Sequence, residues 1–139
     1  MANEFARNIQ DAAVSPIAFV LPAAASTSTN STTLDLGAGN YQPDNLELEL
    51  SVPALSTTIA PDTRTVTLII ETCLATNFST IDQTLYSEAF AGAGGAGIGA
   101  KVKRVRVPSN CARYIRAKVT FGASTTDGSA VSATFTVRF

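Results

Sequence analysis

At 139 residues the chain is long enough for one domain with a two-layer core of its own, and a hydrophobic content of 45% fits a folded protein. Only 15% of residues are charged, against the usual quarter or so, and Ser, Thr and Ala take their place, giving a polar but mild surface. There is no histidine, which excludes Ser-His-Asp and Cys-His nucleophiles and any His-containing zinc site.

In residues 1–14, Phe5 and Ile9 fall four apart, on one face of a short helix that Pro16 would end. Residues 1–25 read as an N-terminal arm and residues 26–139 as a single β domain. The apolar stretch after residue 12 is a poor secretory leader. Glu4 and Asp11 spoil a basic start, and Pro16 and Pro22 leave only Ile17 to Leu21 uninterrupted. Nothing approaches the ~18 apolar residues of a membrane-spanning helix, so no membrane partner is expected.

Residues 23–33, rich in Ala, Ser and Thr, predict an extended edge or a linker. Regular alternation begins at residues 33–36 (TLDL), followed by turn signals at residues 37–40 (GAGN) and 42–45 (QPDN). Residues 45–52 give the cleanest strand. Leu46, Leu48, Leu50 and Val52 point one way, and Asn45, Glu47, Glu49 and Ser51 the other. Residues 53–61 predict a loop, and residues 64–72 a strand with Val66, Leu68 and Ile70 inward. A loop or single helical turn over 77–83 and a short strand over 85–90 come next.

Residues 91–100 (AGAGGAGIGA) predict a flexible connector. Their Gly92-x-Gly94-x-x-Gly97 spacing matches a dinucleotide fingerprint only formally, because a basic strand follows where a helix N-terminus is needed. Residues 101–121 hold seven of the ten bases in two β-like runs joined by Pro108-Ser109-Asn110, which predicts two strands of one sheet with a basic outer face. The alternation slips at Lys103-Arg104, leaving Val102 out of phase with Val105 and Val107, as a β-bulge would. Thr126-Asp127-Gly128 is a turn signal of the hairpin kind, and residues 130–139 close the chain with Val131, Ala133, Phe135, Val137 and Phe139 inward. Seven or eight strands without a central helix predict an all-β antiparallel sandwich or barrel.

Charge is segregated along the chain. Residues 1–88 carry ten acids against Arg7 and Arg64, and residues 89–139 eight bases against Asp127. This pattern fits steering between surfaces, or neutralisation of acidic strands by basic ones within the sheets. Lys101, Lys103, Arg104, Arg106, Arg113, Arg116 and Lys118 would also suit phosphates, but only Tyr114 is placed to stack a base. An acidic protein surface fits as well. Glu47 and Glu49 share a strand face and read as a solvated pair. Cys73 and Cys111 allow one disulfide at most and read as free thiols.

Three stretches resemble jelly-roll capsid cement (decoration) proteins of tailed bacteriophages. They are the Ser/Thr/Asn-rich approach to Leu-Asp-Leu-Gly over 26–37, the pair Val105-Arg106-Val107-Pro108 and Arg113-Tyr114-Ile115-Arg116, and the small-residue turn and final strand over 122–139. The resemblance implies an antiparallel β-sandwich of jelly-roll type with an extended N-terminal arm. It also implies a structural virion protein without enzymatic activity or cofactor, on the exterior of the expanded head and assembled in the host cytoplasm. Its partner would be the major capsid protein, bridged by a homo-oligomer (dimer or trimer), with no nucleic acid bound. No short contact motif is shared, so the expected partner-binding residues are chosen on physical grounds: Phe5, Arg7 and Ile9 of the arm, and Arg104, Arg106, Arg113 and Arg116 of the basic runs. A carbohydrate-binding jelly roll would want an exposed aromatic platform, and the chain has no tryptophan and three tyrosines.

Overall fold

A computed structural model describes residues 16–37 and 46–138. The N-terminal helix, the contact residues Phe5, Arg7 and Ile9, the turn at 42–45 and the inward Phe139 lie outside the described residues.

Nine strands and no helix are formed among the described residues: β1 (Ile17–Val20), β2 (Ser28–Asn30), β3 (Leu34–Asp35), β4 (Glu47–Val52), β5 (Thr65–Cys73), β6 (Gln83–Ala91), β7 (Lys101–Arg106), β8 (Tyr114–Phe121) and β9 (Ser132–Arg138). They make two antiparallel sheets that pack face to face as a β-sandwich. The first sheet runs β1-β9-β4-β7 and the second β2-β8-β5-β6, with β3 continuing the edge beside β8. After β1 the chain makes β2 and β3 in the second sheet, then β4 in the first, β5 and β6 in the second, and β7, β8 and β9 in alternate sheets.

Period-two patterning builds the core. Leu48, Leu50, Ile70, Ile115, Ala117, Val119, Ala133 and Phe135 are each at most 1% exposed, and all occupy positions the alternation turns inward. Each large aliphatic or aromatic side chain so buried contributes about 1.5–3 kcal/mol.

Several sequence expectations are corrected. Ile17–Val20, read as part of the arm, pairs with β9 in register Ile17↔Phe135 to Val20↔Ser132. Phe19 and Leu21 enter the core there, so Ile17–Leu21 belongs to the sandwich, which does not start at residue 26. The two basic runs do not share a sheet: β7 lies at the edge of the first and β8 inside the second.

Strand β7 has no bulge, since its register with β4 is continuous from Glu47↔Arg106 to Val52↔Lys101. Val102 simply faces outward, 55% exposed, while Lys101 and Lys103 turn toward the rim between the sheets. An edge strand permits this, because both ammonium groups reach the Phe90 ring (4.8 and 5.0 Å) and Lys103 reaches Glu88 (3.1 Å). The irregularity lies instead in β5·β6, where the register slips between Ile70 and Glu71 and passes over Leu85.

Residues 91–100 are tied down. Leu55 and Ile98 exchange backbone hydrogen bonds (2.8 and 3.0 Å), and the Gly95 N–H donates to Asp62 (2.9 Å). Gly97, at φ +71°, lies so close to the Leu55 carbonyl that a Cβ would overlap it. The glycines serve close backbone approach here, not flexibility. Thr126-Asp127-Gly128 makes no hairpin, since β8 and β9 belong to different sheets. It lies in the crossover, where the Gly128 N–H donates to the Pro22 carbonyl (2.9 Å).

Candidate functional site

The alternation of β4, β5, β7, β8 and β9 that buries their apolar residues sends their charged residues to the two outer faces. On the first sheet, Glu47 lies between Arg106 and Arg138, and Glu49 between Arg104 and Thr136. Arg104 Nε donates to Glu49 Oε2 at 2.7 Å, and Arg138 Nη2 to Glu49 Oε1 at 2.9 Å. Glu49, expected on a solvated face, is only 8% exposed as a result. Its carboxyl is held below its ordinary pKa by the hydrogen bonds from Arg138 and Arg104. Arg106, opposite Glu47, has no carboxylate within 4.0 Å among the described residues.

On the second sheet the pairs are cross-strand as well. Arg113 meets Asp35 in a bidentate pair (2.6 and 2.8 Å), and Arg116 meets Glu71 through Nε (2.7 Å) and Nη2 (2.6 Å). The Arg113 hydrogen bond, with help from the Gly37 N–H, lowers the pKa of Asp35.

Residues 74–82 fold back over this end of the sheet. The Cys73 thiol donates to the Thr80 carbonyl (2.9 Å), and the Phe78 ring stacks 4.1 Å from the Arg116 guanidinium. Phe78 takes a left-handed backbone conformation (φ 49°) to do so, a cost of about 1–2 kcal/mol that its 7% exposure offsets. Glu71 and Arg116 are thereby 5% and 18% exposed in their side chains, against 62% for Arg104. No sequence signal marked Phe78, which stands alone in a polar loop.

All five ion pairs among the described residues join an acid between positions 35 and 88 to a base between 103 and 138. The segregated charge of the sequence is thus neutralised within the sandwich, because the topology lays C-terminal strands against N-terminal ones. The four arginines expected to form one basic face are not brought together. Arg104 and Arg106 lie on the first sheet's outer face, and Arg113 and Arg116 are engaged by carboxylates on the second.

Among the described residues no group of three Cys, Asp or Glu side chains is placed to hold a metal ion. A cleft between Val52, Leu55, Phe90 and Ile98 has a volume of about 10 Å³, room for one water. Cys73 and Cys111 are free thiols. Burial, and to a lesser extent the charge of Asp82, raises the Cys111 pKa. Burial and the neighbouring Glu88, to which its hydroxyl donates, raise that of Tyr86. The described residues thus form a β-sandwich in which five bases are paired internally with acids. Neither a protein-family model nor a curated protein sequence matches this chain.

Proposed function

We propose that this chain is a structural virion protein of the jelly-roll cement type, binding the outside of an expanded phage head as a homo-oligomer and bridging major capsid subunits. The observation that carries the reading is the strand order. A β1-β9-β4-β7 sheet facing a β2-β8-β5-β6 sheet is compatible with two interleaved Greek keys, which supports the jelly-roll reading.

The three resembling stretches also meet in space. Residues 26–37 run beside residues 113–122, from the Ser26 N–H donating to the Gly122 carbonyl (3.2 Å) to the Leu36 N–H donating to Arg113 (2.9 Å). Residues 105–116 and 122–139 carry the chain into β8 and out of it. Cement function asks for no reaction chemistry. A protein that binds the expanded lattice and not its precursor stabilises that state by mass action, and spanning several subunits multiplies the effect. A rigid sandwich suits the task, since its edges and loops are held ready as contact surfaces.

The internal pairing of Arg104, Arg113 and Arg116 leaves less free positive charge for phosphates than the sequence suggested, which favours a protein partner over nucleic acid. The test is the ratio of this chain to the major capsid protein in purified virions. A fixed ratio of hundreds of copies per particle is expected, with stripped heads rupturing at lower temperature. A handful of copies, or none, would overturn the reading.

A further inference from the structure

Among the described residues β7 has one edge that no strand pairs, and the direction of its backbone groups there is known. The Val107 N–H donates to the Leu46 carbonyl (2.9 Å), which fixes the hydrogen-bonded pairs of this antiparallel ladder as 46/107, 48/105, 50/103 and 52/101. The N–H and C=O groups of Val102, Arg104 and Arg106 therefore point away from β4, and among the described residues no backbone group bonds them. Their side chains stand on the outer face, Val102 at 55% and the Arg104 side chain at 62% exposure. That face carries the guanidinium groups of Arg104, Arg106 and Arg138 against the carboxylates of Glu47 and Glu49.

We infer that this edge is a strand-addition site for an extended acidic segment of a partner protein, one with carboxylates at alternate positions. On its inner side β7 already takes such a strand: Glu47 and Glu49 of β4 lie opposite Arg106 and Arg104. A second strand of that kind along the outer side would bond the backbone of Val102, Arg104 and Arg106. It would set a carboxylate beside Arg106, which has none within 4.0 Å among the described residues, and another beside the exposed outer side of Arg104, already paired with Glu49. The underside of the edge selects in the same direction. Lys101 and Lys103 lie there over Phe90, so an apolar strand would have to bury its side chains against two ammonium groups.

The other long edge lacks this chemistry. The Gly92 N–H donates to the Arg64 carbonyl (3.0 Å), so by the same alternation the open groups of β6 belong to Ser87, Ala89 and Ala91, which are uncharged. The inference concerns the isolated chain and does not rest on the virion reading.

The experiment is an amide NMR titration of the whole chain with an octapeptide alternating Thr and Glu. Controls are the corresponding Thr-Lys peptide and oligothymidylate of equal charge. Shifts centred on Val102, Arg104 and Arg106 are expected with the acidic peptide alone, weakening as salt is raised. Val102→Pro removes an outward donor without touching the β4 ladder, and edge strands accept proline. It should weaken the peptide about tenfold or more. Arg106→Glu should weaken it about threefold to tenfold by setting like charges side by side. Shifts elsewhere, unchanged affinity in a folded Val102→Pro, equal response to the Thr-Lys peptide, or tighter binding of oligothymidylate at the same residues would each overturn the proposal.

Discussion

Replacing Arg116 by Met tests how far the fold over residues 74–82 seals the second sheet. The Arg116–Glu71 and Arg104–Glu49 pairs have nearly the same closest separation, 2.6 and 2.7 Å, but their arginine side chains are 18% and 62% exposed. Removing Arg116 leaves the Glu71 carboxylate, whose side chain is 5% exposed, without its charge-assisted hydrogen bond and the close Nη2 contact beside it. Breaking such a buried pair from one side costs about 3–5 kcal/mol. The lost guanidinium–ring contact adds about 0.5–1 kcal/mol. For a chain of this size that lowers Tm by about 10 °C or more. Arg104→Met should cost under about 1 kcal/mol, since the Arg104 side chain is 62% exposed to water and the buried Glu49 keeps Arg138. In the double variant Glu71→Leu/Arg116→Met the stranded charge is gone, and stability should return to within about 2 kcal/mol of the parent. Urea denaturation at pH 7, followed by circular dichroism, reads all three. A loss under about 1 kcal/mol for Arg116→Met, or a double variant no better than that single one, would refute the idea that Phe78 and its loop exclude water from the pair.

Gly97→Ala should destabilise the chain by about 2–4 kcal/mol, as a Cβ there overlaps the Leu55 carbonyl at a left-handed φ. Gly94→Ala, also left-handed but with open space around it, should cost about 1 kcal/mol, and the difference between their denaturation midpoints is the check. Gly128→Ala would place a methyl group 2.6 Å from the Phe121 ring and 3.1 Å from Leu21 Cβ, so a loss of about 1–3 kcal/mol is expected by the same assay. Glu49 and Asp35 have pKa values lowered in the folded state by their arginines, so the unfolded chain takes up protons first as pH falls. Their contribution is fully present above about pH 5, starts to fall as pH enters the ordinary carboxylate range and is lost as pH drops below it through their lowered folded-state values, which urea midpoints from about pH 6 to about pH 2 should show. Cys73, 2% exposed, should resist a thiol reagent until the chain unfolds, whereas Cys111 should react in the native state, more slowly than a free thiol at pH 7 because burial raises its pKa.

Much of the core was legible in the sequence. Leu46, Leu48, Leu50 and Val52, then Val66, Leu68 and Ile70, then Ile115 to Phe121, are buried where a period of two puts them. That period is a local property of a strand with one dry face, so the chain states it without reference to its neighbours. The lack of histidine likewise removed whole classes of chemistry before any fold was known.

Which strand lies beside which was not local. Lys101–Arg106 and Tyr114–Phe121 look like two strands of one sheet, yet they belong to different sheets, and so do the strands on either side of Thr126-Asp127-Gly128. A turn signal marks where the chain bends, but not which layer it enters afterwards. The pairing of Arg116 with Glu71, 45 positions away, and the cover that Phe78 gives it are consequences of that layering. The sequence by itself determined the inward apolar face of the long strands and where along the chain the charges lie, but not that Glu49, Glu71 and Phe78 are buried. Only the tertiary structure decided that acids from the first two-thirds pair with bases from the last third, within each sheet and, for Lys103 and Glu88, across the rim between them, because the energy of a charge pair depends on distance and solvent exposure, and neither is set by separation along the chain.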